Sequence, residues 1–149
     1  MSWKEVCNSA GEVDTQINLT NQTSTGNSGR VIPLHKSVRG ILIELLERHQ
    51  KFRAFNCSTS FVVRTERSPF TTSQTITNIF QKWYRTLGLI GCSSHSGRRT
   101  FITETSKKIS LVGGSLRDIQ MMAGHSSLQT TQRYIDGDSQ SQRKVVDLI

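Results

Sequence analysis

The sequence predicts an α+β fold, mainly α-helical, with a small antiparallel β-sheet near the N-terminus. Three observations carry this. Apolar residues recur at helical spacing over residues 38–46 and again over 76–87. Capping and stop residues mark three further helices beyond Ser93. Period-two alternation over residues 13–19 precedes a turn-rich segment and a returning apolar run, the pattern of a hairpin.

Taken in order, residues 1–6 (MSWKEV) are expected to form a short strand around Trp3. Val13, Thr15, Ile17 and Leu19 alternate with polar neighbours, residues 21–29 (NQTSTGNSG) form the hairpin tip, and residues 30–34 (RVIPL) return. Val38, Ile41, Leu42, Leu45 and Leu46 give the next segment the 0, 3, 4, 7, 8 spacing of an amphipathic helix. Glu44 and Arg48 are expected to pair on its outside, and His35 and His49 to lie on the surface at its ends. Residues 51–60 read as a loop and residues 61–63 as a short apolar run. Ile76, Ile79, Phe80, Trp83 and Leu87 repeat the helical stripe up to Gly88, and such an aromatic stripe is expected in the core.

Ser93 or Ser94 can cap a helix whose buried side is Phe101, Ile102, Thr105 and Ile109, ended by Gly113-Gly114. Ser115 and Asp118 form a capping box for a helix with Leu116, Ile119 and Met122 inward. Gly124 stops that helix, and Ser126 or Ser127 opens another over residues 128–134. The 149 residues suit one domain: a sheet region over 1–34, a helical core over 35–135 and a tail over 136–149. In the tail, polar residues 136–143 tether Val145, Val146, Leu148 and Ile149, which need burial, on this chain or on a second copy.

Nineteen Lys and Arg against eleven Asp and Glu give a net charge of +8, which favours a polyanionic partner. No apolar run approaches the roughly 20 residues of a membrane span, and the start lacks a signal peptide's apolar core, so no membrane is expected and the chain reads as intracellular. Cys7, Cys57 and Cys92 are odd in number and scattered, which suits a reducing compartment. Cys92, His95 and His125 could be read as zinc ligands, but Arg98 and Arg99 beside them would repel a cation, so no metal is expected.

His95 and Arg98 stand three apart at a helix start, so both project from one face. A guanidinium fork matches two phosphate oxygens, and a neighbouring imidazole can donate to a third or shuttle a proton. Tyr134 supplies a phenol, a poor nucleophile until cations and proton acceptors favour its ionised form. His125 lies nine residues before it, and on one unbroken helix nine steps of roughly 100° would put the two on opposite faces. The break at Gly124 falls where their convergence requires it.

The ordered set of His95-Ser96-Gly97-Arg98, Gly124-His125-Ser126-Ser127, and Thr130-Thr131 ahead of Tyr134 resembles the tyrosine recombinases, or phage integrases. The resemblance covers nearly the whole chain, as the C-terminal part of a catalytic domain. It implies double-stranded DNA as partner and strand breakage and rejoining through a 3′-phosphotyrosyl intermediate without a cofactor. It makes Tyr134 the nucleophile, Arg98 the phosphate clamp, His95 the acid or base, and His125 a donor to a non-bridging oxygen. Arg99, which stands where the family often has histidine, is assigned to the DNA backbone and Arg30 to DNA binding, and the resemblance suggests a homo-oligomer joined through the tail. Two departures bear on activity. The family's first catalytic arginine would lie upstream of Met1, and Ser24 stands where the family places a lysine that protonates the leaving 5′ oxygen. The chain alone is therefore expected to be weak or inactive, either as an excerpt of a working recombinase or as a truncated remnant that binds DNA or a full-length partner. A helical interaction domain without catalysis is the third class.

Overall fold

The computed structural model describes residues 1–21, 29–66, 68–134, 143 and 146–147. It is mainly helical with a two-stranded antiparallel sheet, and it falls into two compact units, Met1–Ile76 and Thr77–Ile149.

In the first unit, β1 (Gln16–Leu19) pairs with β2 (Arg30–Pro33), with Ile17 opposite Ile32 and Leu19 opposite Arg30. Ser24 and its neighbours at the hairpin tip lie outside the described residues. Helix α1 (Lys36–Gln50) buries Leu42 and Leu46 against Trp3, Val6, Cys7, Val13 and Val62. Its stripe is narrower than the spacing predicts, because Val38 and Ile41 are exposed and the polar His49 is buried instead. Arg39 ties the helix back to the N-terminal segment by donating to the carbonyls of Val13 (2.9 Å) and Asp14 (3.2 Å).

Three expectations fail in this unit. The segment around Trp3 is a turn of 3₁₀-helix, Trp3–Glu5, in which Glu5 accepts from the Ser2 N–H at 2.8 Å. His49, expected on the surface, is only 6% exposed, and its Nδ1 accepts from the Trp3 indole N–H at 2.9 Å. A buried indole needs an acceptor, and a neutral imidazole provides one without a charge. Glu44 and Arg48 are both exposed, and no ion pair joins them.

Helix α2 (Ser73–Thr86) contains no buried residue. Its stripe is therefore not the core expected from its spacing: Ile76, Ile79 and Phe80 are half-buried, and Trp83 is 57% exposed. Beyond it, α3 (Ser94–Lys108) continues through a 3₁₀ turn, Ile109–Val112, to the left-handed Gly113. Then come α4 (Leu116–Ala123) and the short α5 (Leu128–Gln132), which ends two residues before Tyr134. Asp118 opens α4 as predicted, accepting from the Ser115 N–H (2.7 Å) and hydroxyl (2.9 Å), which hold its carboxyl below the usual carboxylate range. Buried Ile102, Ile119 and Ala123 join α3 to α4, with Ile109, Leu116, Met122 and Tyr134 against them. Of the tail's four apolar residues only Val146 is described, and it is 69% exposed on its own chain.

Candidate active site

Three of the candidate residues, Arg98, His125 and Tyr134, converge where the start of α3 meets the end of α4. Ser93 caps α3: its hydroxyl accepts from the His95 N–H (3.3 Å), while its own N–H donates to the Ser96 hydroxyl (2.9 Å). Arg98 follows one turn after His95 and precedes the fully buried Ile102 by another. Residues four apart share a helix face, so the Arg98 stem follows the buried stripe toward α4. Its guanidinium Nη2 donates to the carbonyl of Ala123 at 2.5 Å, at the last residue of α4.

That carbonyl sits beside the turn carrying His125. Gly124 takes the left-handed conformation (φ 68°), and its N–H donates to Met121 O (3.1 Å) while the His125 N–H donates to Gln120 O (3.1 Å). This is a Schellman motif, in which a Cβ on Gly124 would be strained. The buried Gln120 side chain closes the ring by donating from Nε2 to the His125 carbonyl at 3.0 Å. Main-chain bonds on both sides of His125 therefore end on one residue.

Ser127 then caps α5 by accepting from the Gln129 N–H (3.2 Å). The chain has turned back, and the His125 and Tyr134 rings stack with centroids 5.5 Å apart and planes 12° from parallel. His125 Nδ1 lies 2.9 Å from the hydroxyl of the fully buried Thr131. The Tyr134 backbone is held twice: its N–H donates to Thr131 O (3.1 Å), and its carbonyl accepts from the Thr103 hydroxyl (3.4 Å). The break inferred at Gly124 is the feature that lets two residues nine apart meet.

Arg98, His125 and Tyr134 are thus brought to one corner. His95 is exposed one turn away on α3, and its imidazole has no hydrogen-bond partner among the described residues. Arg99 is exposed on the same helix, and Arg30 belongs to the other unit, half-buried on β2. Cys92, His95 and His125 do not form a metal-binding group, and no set of three His, Cys, Asp or Glu side chains among the described residues does. Sequence reading assigned no role to Thr131 and did not single out Gln120. The available signal for Thr131 was its place three residues before Tyr134, the spacing of the turn that joins its carbonyl to the Tyr134 N–H. A guanidinium, an imidazole and a phenol around one corner can hold an oxyanion while a phenol oxygen reacts with it.

The profile of the Phage integrase family matches residues 1–141. The tyrosine recombinase XerC of Corynebacterium efficiens is 32% identical over 142 residues, covering 94% of this chain and 43% of that protein. The tyrosine recombinase XerA of Pyrococcus horikoshii is 30% identical over 123 residues, covering 82% of this chain and 40% of that one. The chain therefore spans less than half the length of these relatives. Among solved structures, the XerA recombinase crystal structure superposes with a TM-score of 0.73 at 22% identity, over 99% of this chain and 52% of that one. The Tn1549 transposon integrase, solved with a circular intermediate DNA, superposes with a TM-score of 0.65 at 16% identity, over 100% of this chain and 55% of that one. The corner of Arg98, His125 and Tyr134 stands within the matched residues, and the chain belongs to the phage integrase family, the tyrosine recombinases.

Proposed function

We propose that this chain carries the strand-transfer centre of a site-specific DNA recombinase. The observation that carries the reading is the stacked His125–Tyr134 pair, with the Arg98 guanidinium anchored on the carbonyl two residues before His125. Tyr134 Oη attacks a DNA phosphorus, the bond from phosphorus to the 5′ oxygen breaks, and a 3′-phosphotyrosyl link forms. Arg98 neutralises non-bridging oxygens, and His125 donates to one of them as negative charge builds. His95, exposed at the start of α3, exchanges the proton that the phenol must lose. A 5′ hydroxyl on the second strand reverses the step and rejoins DNA. Arg99 on α3, Arg30 on β2 and the net charge of +8 suit contacts with the DNA backbone.

Ser24 occupies the place of the family's lysine, and an alcohol cannot act as an ammonium acid toward the leaving oxygen. The chain is accordingly expected to cleave ordinary DNA slowly. A suicide duplex with a 5′-bridging phosphorothiolate has a leaving group that needs no proton. Covalent capture should be faster on that duplex by about 10²- to 10⁴-fold, and absent from Tyr134→Phe. Equal rates on both duplexes would refute the missing acid, and capture by Tyr134→Phe would refute the nucleophile. A mobility shift on plain duplex with no covalent product on either substrate would favour the second reading, a remnant that binds without cutting, for which Ser24 is the supporting residue.

A further inference from the structure

The proposed centre leaves one buried polar side chain without a task. Thr131 is fully buried, and its hydroxyl makes its hydrogen bond to His125 Nδ1 at 2.9 Å. A hydroxyl can donate or accept, and so can Nδ1, depending on where the ring carries its proton. We propose that Thr131 is a positioning residue: it donates its hydroxyl proton to Nδ1 and so fixes neutral His125 in the tautomer protonated at Nε2. This rests on the reading of His125 as the donor to the phosphoryl oxygen.

Four observations converge on this role. The hydroxyl is sealed from water, so it must find its partner inside the protein, and that partner is the candidate catalytic ring. The ring lies flat against Tyr134, so its plane is already set, and turning it over would put a carbon where Nδ1 meets the hydroxyl. Thr131 also accepts the Tyr134 N–H at 3.1 Å, so one residue fixes the imidazole through its side chain and the phenol's backbone through its carbonyl. Gln120, bonded to both the N–H and the carbonyl of His125, prevents the main chain from compensating for a lost side-chain bond. An imidazole held by a third group at its far nitrogen presents its remaining N–H in one direction. Under this assignment, the proton His125 offers a phosphate oxygen is the one on Nε2.

The test is long-range ¹H–¹⁵N spectroscopy of the histidine rings in the full chain, at a pH where the rings are neutral. Wild type and Thr131→Ser should both show Nδ1 bare and Nε2 protonated. Thr131→Val, which keeps the shape and removes the hydroxyl, should show both tautomers and a weakened ring contact with Tyr134. A proton on Nδ1 in wild type overturns the proposal by itself, even if the valine variant fails to fold, and a valine spectrum identical to wild type also overturns it. On the phosphorothiolate duplex, Thr131→Val should lower the saturated capture rate by about 10- to 10²-fold, with serine restoring it. An unchanged rate counts against the proposal. Adding a short plain duplex tests the underlying reading separately: no change at His125 Nε2 would remove His125 from the phosphate while leaving the tautomer result intact.

Discussion

His49 and His125 each place Nδ1 against a buried partner, yet the two regions use that bond differently. In the N-terminal unit, the Trp3 indole donates to the buried His49 across 46 residues of sequence, and the Trp3 ring sits inside an apolar cluster. The bond joins the first turn of the chain to the end of α1. In the C-terminal unit, the buried polar groups Gln120 and Thr131 both bond to His125, which is only half-buried and lies on Tyr134. Buried hydrogen bonds hold the first unit together; in the second they gather on one half-buried residue. Burial of a polar partner thus does not by itself identify a functional histidine. The deciding features are whether the ring reaches a surface and what lies beside it.

Substitutions can break this contrast in graded ways. Trp3→Ala removes the largest fully buried side chain of the described residues together with the donor to His49, and should cost about 3–5 kcal/mol in urea unfolding. Ile102→Ala, in a buried cluster with Ile119 and Ala123, should cost about 2–5 kcal/mol and also shift the ring resonances of Tyr134, which packs against that cluster. If Ile102→Ala leaves Tyr134 unmoved, the second unit's core does not position the site.

Acid should separate the units next. Burial, then the charge of Arg64, hold the His49 imidazole below its ordinary 6.5. Between that lowered value and 6.5 the unfolded chain binds a proton that the folded unit refuses. Stability is therefore full above pH 6.5 and falls as pH drops through 6.5 toward the folded pKa. His49→Gln retains an acceptor for Trp3 but does not titrate, so its urea midpoint should lose most of this slope; an equal slope would place the acid sensitivity elsewhere. Trp83→Gln should have the smallest effect, within about 0.5 kcal/mol, because the ring is 57% exposed. A larger loss would show that something covers α2 in solution.

What was legible in the sequence was mostly local. Ser93, Ser115 with Asp118, Gly124 and Ser127 act on backbone groups two to four residues away, so residue type and short spacing decide the outcome. The convergence of His125 and Tyr134 followed from the same chemistry, since the break at Gly124 determines which faces can meet. The Trp3–His49 bond was illegible because neither residue signals the other at that distance. The α2 stripe misled for a different reason: periodicity states which face of a helix is apolar, and Trp83 shows that it does not state whether anything covers that face. The motif singled out Arg98, but its anchor on Ala123 O lies 25 residues away and needed the fold.

The Gly124 corner also bears on how this region acquires its shape in time. The bonds that shape it join residues five and six apart, Gln120 with His125 and His125 with Thr131, whereas Arg98 and Thr103 reach it across 25 and 31 residues. Closing a loop of about ten residues takes roughly 10–100 ns, and the entropy cost of closure rises with loop length. The turn with its histidine can therefore form and re-form within its own short segment, while the arginine must wait for α3 to dock. Assembly of the corner is then a docking of one long-range cation onto a locally determined template, and slow steps in forming it belong to α3 rather than to the residues around Tyr134.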